Sequence, residues 1–434
     1  MGNAKRTKPH EPDYVLLLTV GALVAGGLVM VYSASFVEAF TLHDTQFYYL
    51  LRQMIGALIG TIGLVLALRV NYRLLRRFSL HIMGAALLLL ILVLVLPTSL
   101  TEVNGSRSWI RFSGGLLSVQ PSEIAKLAMI IYFADWLSKR GDKIGNATYG
   151  LIPFSVLLGL VCGLVILQPD VGTTTVLLLI GGLIYFAAGA NLLHIILAIG
   201  VAALAFGGLV NFAENGRILA YHNPWDYYDS YGYQPIHALY ALGSGGLFGV
   251  GLGQARQKFQ WLPQAHTDSI YAIIGEELGL VGTLLVLVGF AIIAYRGYRI
   301  ACRSEDPFAA LVAVGITSWL VFQALLNMAV TTSLVPFTGL TLPFISYGST
   351  SLIMCMVGVG LLLNISRYTV TRQPEEKPDA WSRRSPALDF FRATRQTVAA
   401  APVWGWYRRP RLSGAGSRRS PGRATARRSR TGGR

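Results

Sequence analysis

Long apolar runs separated by short polar segments occupy most of the first 370 residues of the chain. Each run reaches or approaches the roughly 20 residues that an α-helix needs to cross about 30 Å of hydrocarbon. The ten runs lie at 13–34, 47–68, 78–97, 121–138, 150–168, 172–189, 192–210, 268–296, 308–333 and 346–367. The pattern predicts an all-α, polytopic membrane protein with about ten transmembrane helices. The first run is too long for a signal-peptide core and no small-residue cleavage site follows it, so we expect it to be retained.

Clusters of lysine and arginine predict the orientation of these helices. If ten helices alternate in direction, all the clusters fall on one side of the membrane, and the positive-inside rule identifies that side as the cytoplasm. The clusters are at 5–8, 69–77, 139–143, 296–303 and from 367 onward. Both termini are then cytoplasmic. The loops 98–120, 211–267 and 334–345 face outward.

The composition agrees with a membrane protein. Of 434 residues, 53% are hydrophobic and 13% are charged, about half the charged share of a typical soluble domain. The net charge of +16 could indicate nucleic acid binding. The basic residues, however, are confined to the clusters between apolar runs and to the tail, so we expect a membrane and no nucleic acid. Three cysteines in or beside apolar runs predict neither a disulfide nor a metal cluster.

Three segments follow from these patterns. Residues 1–12 form a short cytoplasmic tail, and residues 13–368 form the membrane domain with its large outer loop at 211–267. Residues 369–434 are rich in Pro, Ser, Gly and Arg and cannot bury enough apolar surface to fold alone. We interpret this last segment as a largely disordered, solvated cytoplasmic tail near anionic lipid, with docking of a partner as the alternative.

Charged residues near the fourth run indicate a site at the outer face. Glu123 and Lys126 are three positions apart and can neutralise one another on one helix face. The alternative is that this pair only fixes helix packing. Arg107 and Arg111 lie on the outer side against the positive-inside trend, which favours an anion such as a diphosphate as their partner. Trp109 between them also suits the membrane interface.

Two aspartates each allow two interpretations. Asp170, in the turn between the fifth and sixth runs, can serve the site or simply cap the following helix. Asp268 opens the eighth run, where it competes with Thr267 as a helix cap. In a partly apolar cleft its carboxylate would instead have a raised proton affinity and could deprotonate a hydroxyl. Glu276 and Glu277 lie deeper in the same run, where charges are too costly to be ordinary surface groups.

Together these segments resemble the SEDS family, which comprises the FtsW, RodA and sporulation-specific polymerases of the bacterial wall. The resemblance covers about residues 13–368. It rests on Gln120-Pro-Ser-Glu-Ile-Ala-Lys126, Gln168-Pro-Asp-Val-Gly-Thr173, the glycine-rich stretch 241–253, Leu262-Pro-Gln-Ala-His-Thr-Asp268, Ile274-Gly-Glu-Glu-Leu-Gly279 and Leu342-Pro-Phe-Ile-Ser-Tyr-Gly348. The stretch 256–263 is closer to the FtsW division branch than to the elongation branch. Ser269, Tyr271 and the sequence Tyr347-Gly-Ser-Thr depart from the family pattern.

The resemblance implies the SEDS fold and a peptidoglycan glycosyltransferase of cell division. Such an enzyme polymerises the undecaprenyl-diphosphate-linked disaccharide lipid II on the outer leaflet of the bacterial inner membrane. Asp268 would be its catalytic base. The resemblance also implies a single-span class B penicillin-binding protein, a transpeptidase, as partner, with other divisome proteins beside it. Neutralisation of the leaving diphosphate is expected from arginine and lysine side chains or from a divalent cation, Mg²⁺ or Mn²⁺.

The predicted site residues form two groups. Around the substrate or its diphosphate we expect Arg107, Trp109, Arg111, Gln120, Lys126, Arg256, Lys258, His266 and Thr267. As supporting residues we expect Glu123, Asp170, Glu276, Glu277 and Ser346.

Two other functions fit the same helices. A flippase for lipid II would need a charged path through the middle of the membrane, whereas a polymerase needs its carboxylate at the outer mouth. The predicted position of Asp268 at the mouth favours the enzyme. A scaffold for divisome assembly is the third hypothesis, and the basic tail is the feature that suggests it.

Overall fold

The computed structural model describes residues 10–103, 106–111, 118–191 and 215–369. Within these ranges the chain is mainly helical. Its helices are α1 Tyr14–His43, α2 Tyr48–Arg69, α3 Tyr72–Val95, α4 Thr98–Thr101, α5 Pro121–Ser138, α6 Ile152–Ile166, α7 Val171–Ala187, α8 Asn215–His222, α9 Tyr233–Gly245, α10 Ile270–Arg303, α11 Pro307–Thr331 and α12 Ser349–Ser366. Two short antiparallel hairpins pair β1 Glu102–Val103 with β2 Ser106–Arg107, and β3 Ile110–Arg111 with β4 Ser118–Val119.

Nine of the ten predicted runs coincide with helices of this fold. In the described ranges, seven helices are long and apolar enough to span a membrane: α1, α2, α3, α6 together with the π-helix Ala147–Leu151 that precedes it, α10, α11 and α12. Helix α7 has only 17 residues, and α5 carries Glu123, Lys126 and Asp135. The predicted run 192–210 lies outside the described residues. The number of ten spans therefore stays a prediction.

Several helices extend beyond their predicted ends. Helix α1 has 30 residues, roughly 45 Å at 1.5 Å per residue, which exceeds the hydrocarbon thickness of about 30 Å. Helix α3 begins at Tyr72 rather than at position 78, and α10 continues to Arg303 rather than to 296. Arginines occupy these extra turns. The hydropathy pattern did not include these turns, because it identifies only the part of a helix that lies in the apolar layer. The helix itself can continue into water.

Helices α11 and α12 form the centre of the bundle. In each of them, 78% of the most apolar stretch is buried, against 22% in α2 and 28% in α3. The outer helices present leucines to the surroundings: Leu58 on α2 and Leu88 on α3 are each 63% exposed. Exposed leucines on long apolar helices are expected where the solvent is lipid.

Small residues allow α2 and α12 to pack closely. Gly56 and Gly60, four positions apart on α2, face Ser349 and Met356 on α12. An added methyl group would lie 3.1 Å from Ser349 at Gly56 and 2.6 Å from Met356 at Gly60. Glycines at this spacing bring helix backbones together in membranes, where packing rather than water exclusion drives association.

Contacts at one end of the bundle join three distant parts of the chain. Asp13 caps α1 by accepting from the amide of Leu16, and its carboxylate also pairs with Arg296 of α10 at 2.6 Å. The amide of His10 donates to the carbonyl of Arg367 just after α12. The start of α1, the last turns of α10 and the end of α12 therefore lie on the same side.

Helix α10 is interrupted at Gly279, whose backbone is in the left-handed region (φ 67°). The glycine-rich segment 246–251 pairs with the interruption. The amide of Val250 donates to the carbonyl of Glu276, and the amide of Leu280 donates to that of Gly246. Gly249, also at positive φ (80°), lies directly against the backbone of Glu277. The glycine-rich segment, for which we predicted close packing, thus packs against α10.

Candidate active site

Asp268 lies two residues before α10, at the end of the bundle opposite the Asp13–Arg296 pair. Its half-buried carboxylate has a neighbour on each side. Oδ1 is 3.4 Å from the amide nitrogen of Gln234 and 3.3 Å from the hydroxyl of Thr267. Oδ2 faces Gly339, where an added methyl group would lie 3.7 Å away. The carboxylate is therefore held between α9 and the loop that follows α11.

The electrostatics of Asp268 suit a base. Burial raises the pKa of Asp268 to about 7, while hydrogen bonds from the amides of residues 268 and 269 and from the side chains of Thr267 and Gln234 oppose the shift. A carboxylate with such a pKa is half ionised near neutral pH, where a general base is most effective. The alternative interpretation was that Asp268 caps α10. In the structure Ser269 rather than Asp268 occupies the N-cap of α10.

Asn327 of α11 fixes the backbone around Asp268. Its amide nitrogen donates to the carbonyl of Asp268 at 2.8 Å and to that of Leu340 at 2.6 Å. Asn327 is almost fully buried. A single buried polar side chain near the end of α11 therefore ties the aspartate loop to the loop that leads into α12.

His266 anchors the aspartate loop on its other side. Its ring lies against the rings of Tyr49 and Tyr347, and its Nδ1 is 3.2 Å from a carboxylate oxygen of Glu38. The carbonyl of His266 accepts from the amide of Tyr347. Although His266 was predicted to contact the substrate, these contacts make it a link between the loop and α1–α2.

Glu123 and Lys126 form the predicted ion pair on α5, 2.8 Å apart and buried. The Lys126 ammonium also donates to Gln323 of α11 at 2.7 Å, and Gln323 in turn donates to the carbonyl of Thr341. Lys126 has no exposed surface. The prediction that Lys126 binds the substrate is therefore contradicted by its burial, and its contacts are structural.

Lys258 also requires a correction. It was predicted to face the diphosphate, but its ammonium is completely buried, 2.7 Å from Glu277 and 3.3 Å from Ser33 of α1. The ion pair compensates the charge of Glu277 within α10. Glu276, its neighbour, accepts from the backbone amide of Arg256 at 2.7 Å. Both glutamates thus contact the loop 254–258.

Three exposed cations lie at this end of the bundle. The side chains of Arg107, Arg111 and Arg256 are exposed. Half-buried Trp109 lies between the first two, and its amide is 3.4 Å from the carbonyl of Thr101. Guanidinium groups in such positions can bind phosphate oxygens in pairs.

The remaining predicted residues maintain the loops. Asp170 caps α7 by accepting from the amide of Thr173 at 2.9 Å, and it lies 3.4 Å from the amide nitrogen of Gln120. The hydroxyl of Ser346 accepts from the amide of Leu342, and its carbonyl accepts from Gln53 of α2. The cap interpretation of Asp170 agrees with this geometry.

Sequence reasoning assigned no role to three residues that the structure places at the centre of the site: Gln234, Gln323 and Asn327. The signal for the last two was present, because an amide side chain within an apolar run is costly unless it is paired or functional. Gln234 had a weaker signal, a polar residue in an outer loop, and only the fold brings it to Asp268.

The fold and the site together define a polytopic helical membrane protein. At one mouth of its helix bundle lies a carboxylate whose pKa is about 7. The chain belongs to the FtsW/RodA/SpoVE family of cell cycle proteins, whose profile matches residues 14–371.

Relatives of known name match nearly along their whole length. The stage V sporulation protein E of Bacillus subtilis is 42% identical over 370 residues, covering 84% of this chain and 99% of the relative. A protein named "Probable peptidoglycan glycosyltransferase FtsW" from Trichlorobacter lovleyi is also 42% identical, over 361 residues, covering 82% and 93%. These two relatives are thus equally identical in sequence to this chain.

Solved structures share the fold. A chain from a peptidoglycan synthase complex that coordinates polymerization and crosslinking superposes with a TM-score of 0.68 at 29% identity, covering 83% of this chain and 99% of that one. The rod shape determining protein RodA of Thermus thermophilus gives 0.60 at 30% identity, covering 82% and 97%. The predicted SEDS fold is therefore confirmed.

Proposed function

We propose that this protein is a peptidoglycan glycosyltransferase that joins lipid-linked disaccharides into glycan chains. The observation that carries the proposal is Asp268, a half-buried carboxylate with a pKa of about 7 at the mouth of the bundle. The names of its relatives, which include peptidoglycan glycosyltransferases, support the same reaction class, and lipid II is the lipid-linked disaccharide that we propose as the substrate.

In the proposed reaction Asp268 accepts the proton of a sugar hydroxyl on the acceptor. The hydroxyl oxygen forms a bond to the anomeric carbon of the donor, and the bond from that carbon to the diphosphate oxygen breaks. The anomeric carbon is inverted because attack and departure occur on opposite faces. A positioned general base accelerates such a step by roughly 10²–10⁴-fold.

The leaving diphosphate must be neutralised as it departs. Arg107, Arg111 and Arg256 are the exposed cations that we assign to it, in place of the buried lysines. A divalent cation, Mg²⁺ or Mn²⁺, is the other proposed contributor. The described residues bring no three His, Cys, Asp or Glu side chains together, so such an ion would be coordinated mainly by the phosphate oxygens of the substrate.

We place the protein in the bacterial inner membrane with both termini in the cytoplasm. The contacts of Asp13 with Arg296 and of His10 with Arg367 support a common side for the two ends. The positive-inside rule supports the cytoplasm as that side, because basic clusters follow α10 and α12. Asp268 then faces the outer leaflet.

A single-span class B penicillin-binding protein is the partner that we propose, because polymerised glycan needs a transpeptidase for crosslinking. The similarity to a chain from a complex that coordinates the two activities supports this pairing. We further propose a role in cell division, with other divisome proteins as additional partners, although the sporulation relative is equally identical.

Purified protein supplied with lipid II in detergent tests the function directly. We expect the wild type to form glycan chains and Asp268→Asn to be reduced by roughly two to four orders of magnitude at normal membrane levels. Asparagine preserves size and helix-capping ability but cannot accept a proton at neutral pH. Near-normal polymerisation by this variant would make Asp268 structural. A wild type that moves lipid II across vesicles without polymerising it would establish the flippase instead.

A further inference from the structure

Glu38 lies in the last turns of α1, at the end of the bundle that carries Asp268. Glutamates are mostly solvated unless they are paired, yet this side chain is only 33% exposed. One carboxylate oxygen lies 3.2 Å from Nδ1 of His266, and the other lies 3.5 Å from the hydroxyl of Tyr49 at the start of α2. The side chain of Glu38 is therefore directed into the fold rather than towards water.

The imidazole of His266 depends on this carboxylate. Its side chain is almost fully buried, and its ring centroid lies 4.3 Å from that of Tyr49 and 5.4 Å from that of Tyr347. Nδ1 has no hydrogen bond within the part of the chain that the structure describes, so the Glu38 carboxylate, at ion-pair distance, is the group that compensates it. An uncompensated buried polar atom costs about 1–3 kcal/mol, which favours keeping the two groups together.

Helix α1 is a fixed support for this contact. Ser33, on the preceding turns of α1, donates to the carboxylate of Glu277 at 2.7 Å. The ring of Phe36 lies edge-on to that of Phe259, with 6.2 Å between the centroids. Since Glu277 belongs to α10 and Phe259 to the loop before it, the last turns of α1 are held against both elements, and Glu38 extends this attachment along the loop.

The position of His266 affects that of Asp268, which follows it by two residues. Other contacts hold the backbone of this stretch: the carbonyl of His266 accepts from the amide of Tyr347 at 2.9 Å, and the carbonyl of Asp268 accepts from Asn327 at 2.8 Å. The contact with Glu38 adds a constraint on a side chain and ties the loop to α1. Such a constraint matters for a general base, because a misplacement of about 1 Å can cost about a hundredfold in rate.

From these contacts we infer that Glu38 is a positioning residue for Asp268 and acts through the imidazole of His266. The inference rests on the proposed function, in which Asp268 is the general base. The role assigned to Glu38 is placement of the base rather than contact with the substrate. Its loss should therefore lower kcat and leave KM for lipid II almost unchanged.

Glu38→Ala tests this role in purified protein supplied with lipid II. It should lower kcat roughly ten- to a hundredfold and keep KM within about twofold of the wild type, because the base is displaced while the binding groups are untouched. Asp44→Asn is the control: Asp44 is an exposed carboxylate at the C-cap of α1, asparagine tolerates its left-handed backbone, and both constants should stay as in the wild type. If Glu38→Ala fails to reach the membrane, Glu38→Gln replaces it, because this change removes the charge and keeps the size.

A double-mutant cycle separates positioning through His266 from a general effect on the fold. His266→Phe keeps a ring between Tyr49 and Tyr347 but lacks the nitrogen that faces Glu38, and His266→Leu replaces it if the aromatic variant fails to reach the membrane. In this background Glu38→Ala should cause no further loss of kcat.

Three results would overturn the role of Glu38: additive losses in the cycle, an unchanged kcat in a folded Glu38→Ala variant, or a raised KM at unchanged kcat. In each case a polymerising wild type would remain a glycosyltransferase. A wild type that does not polymerise would instead overturn the proposed function, and the positioning role with it.

Discussion

At the residue scale, the properties of Asp268 arise from neighbours that are distant in sequence. Gln234 is 34 residues away and Asn327 is 59 residues away. The sequence itself indicated Asp268, because a carboxylate at the start of an apolar run is either a cap or a base. It could not indicate the amides that hold this carboxylate, since their positions depend on how α9 and α11 pack.

The pKa of Asp268 predicts an acidic limb in the pH profile. The base must be ionised, and its pKa is raised to about 7, so activity should fall as pH decreases through about 7. The rate constant kcat/KM for lipid II should then decline about tenfold per pH unit below that point and level off above it. Polymerisation measured from pH 5 to 9 checks this.

Gln234→Ala is the matched variant for that profile. The Gln234 amide donates toward the carboxylate and lowers the pKa of Asp268, so its removal should move the acidic limb to higher pH. A merely structural role for Gln234 would reduce the rate at every pH without moving the limb. An unmoved limb would exclude Gln234 as a positioning residue for Asp268.

At the element scale, the interruption of α10 depends on glycines. Gly249 has φ 80°, and a side chain there would collide with the backbone of Glu277. We expect Gly249→Ala to destabilise the protein by at least about 1–3 kcal/mol, the typical cost of a strained backbone residue. Thermal unfolding in detergent and the level of protein in the membrane would measure the loss.

Gly243 provides the control for this change. It lies within α9 at an ordinary helical conformation, and an added methyl group would meet nothing within 4 Å. Gly243→Ala should therefore be neutral or stabilising, because alanine favours helices. Equal losses for the two variants would contradict the close pairing of segment 246–251 with α10.

The buried pair Glu123–Lys126 on α5 allows a second prediction at this scale, which concerns the contact between α5 and α11. Lys126→Met leaves Glu123 unpaired and should cost about 3–5 kcal/mol, and Glu123→Gln should be similarly harmful. The double variant should lose less than the sum, since no uncompensated charge remains. A double-mutant cycle on the free energy of unfolding checks the pair, and strictly additive losses would mean that the two groups do not interact in solution.

Hydropathy predicted most helices of the bundle but neither their ends nor the helices of the outer loop. Helices α8 and α9 have 8 and 13 residues, which is too short for the hydropathy pattern of a membrane span. In α9 the glycines also weaken the helical signal. The sequence also suggested substrate contacts for Lys126 and Lys258, because the leaving diphosphate must be neutralised by cations. In the fold both ammonium groups pair with glutamates instead: Lys126 with Glu123, a pair that the sequence had indicated, and Lys258 with Glu277.

At the scale of the whole molecule, the contacts of Asp13, Arg296 and Arg367 predict the topology. A reporter fused after Arg367 should be active in the cytoplasm, and one inserted near Asp229 in the outer loop should be active outside. Fusions at these two positions, assayed with a phosphatase and a fluorescent protein, locate each side. The same compartment for both reporters would mean that the number of spans between them is wrong.

The same contacts have a consequence for synthesis. The amide of Asp13 donates to the hydroxyl of Ser366, across 353 residues of chain. At about 5–20 residues per second, the ribosome makes the second partner roughly 18–70 s after the first. During that interval the start of α1 lies in the bilayer without its contact to α12. Ribosomes that stop before α12 should consequently leave a first helix that membrane proteases can extract, so quality control would act on this junction before it acts on the catalytic loop.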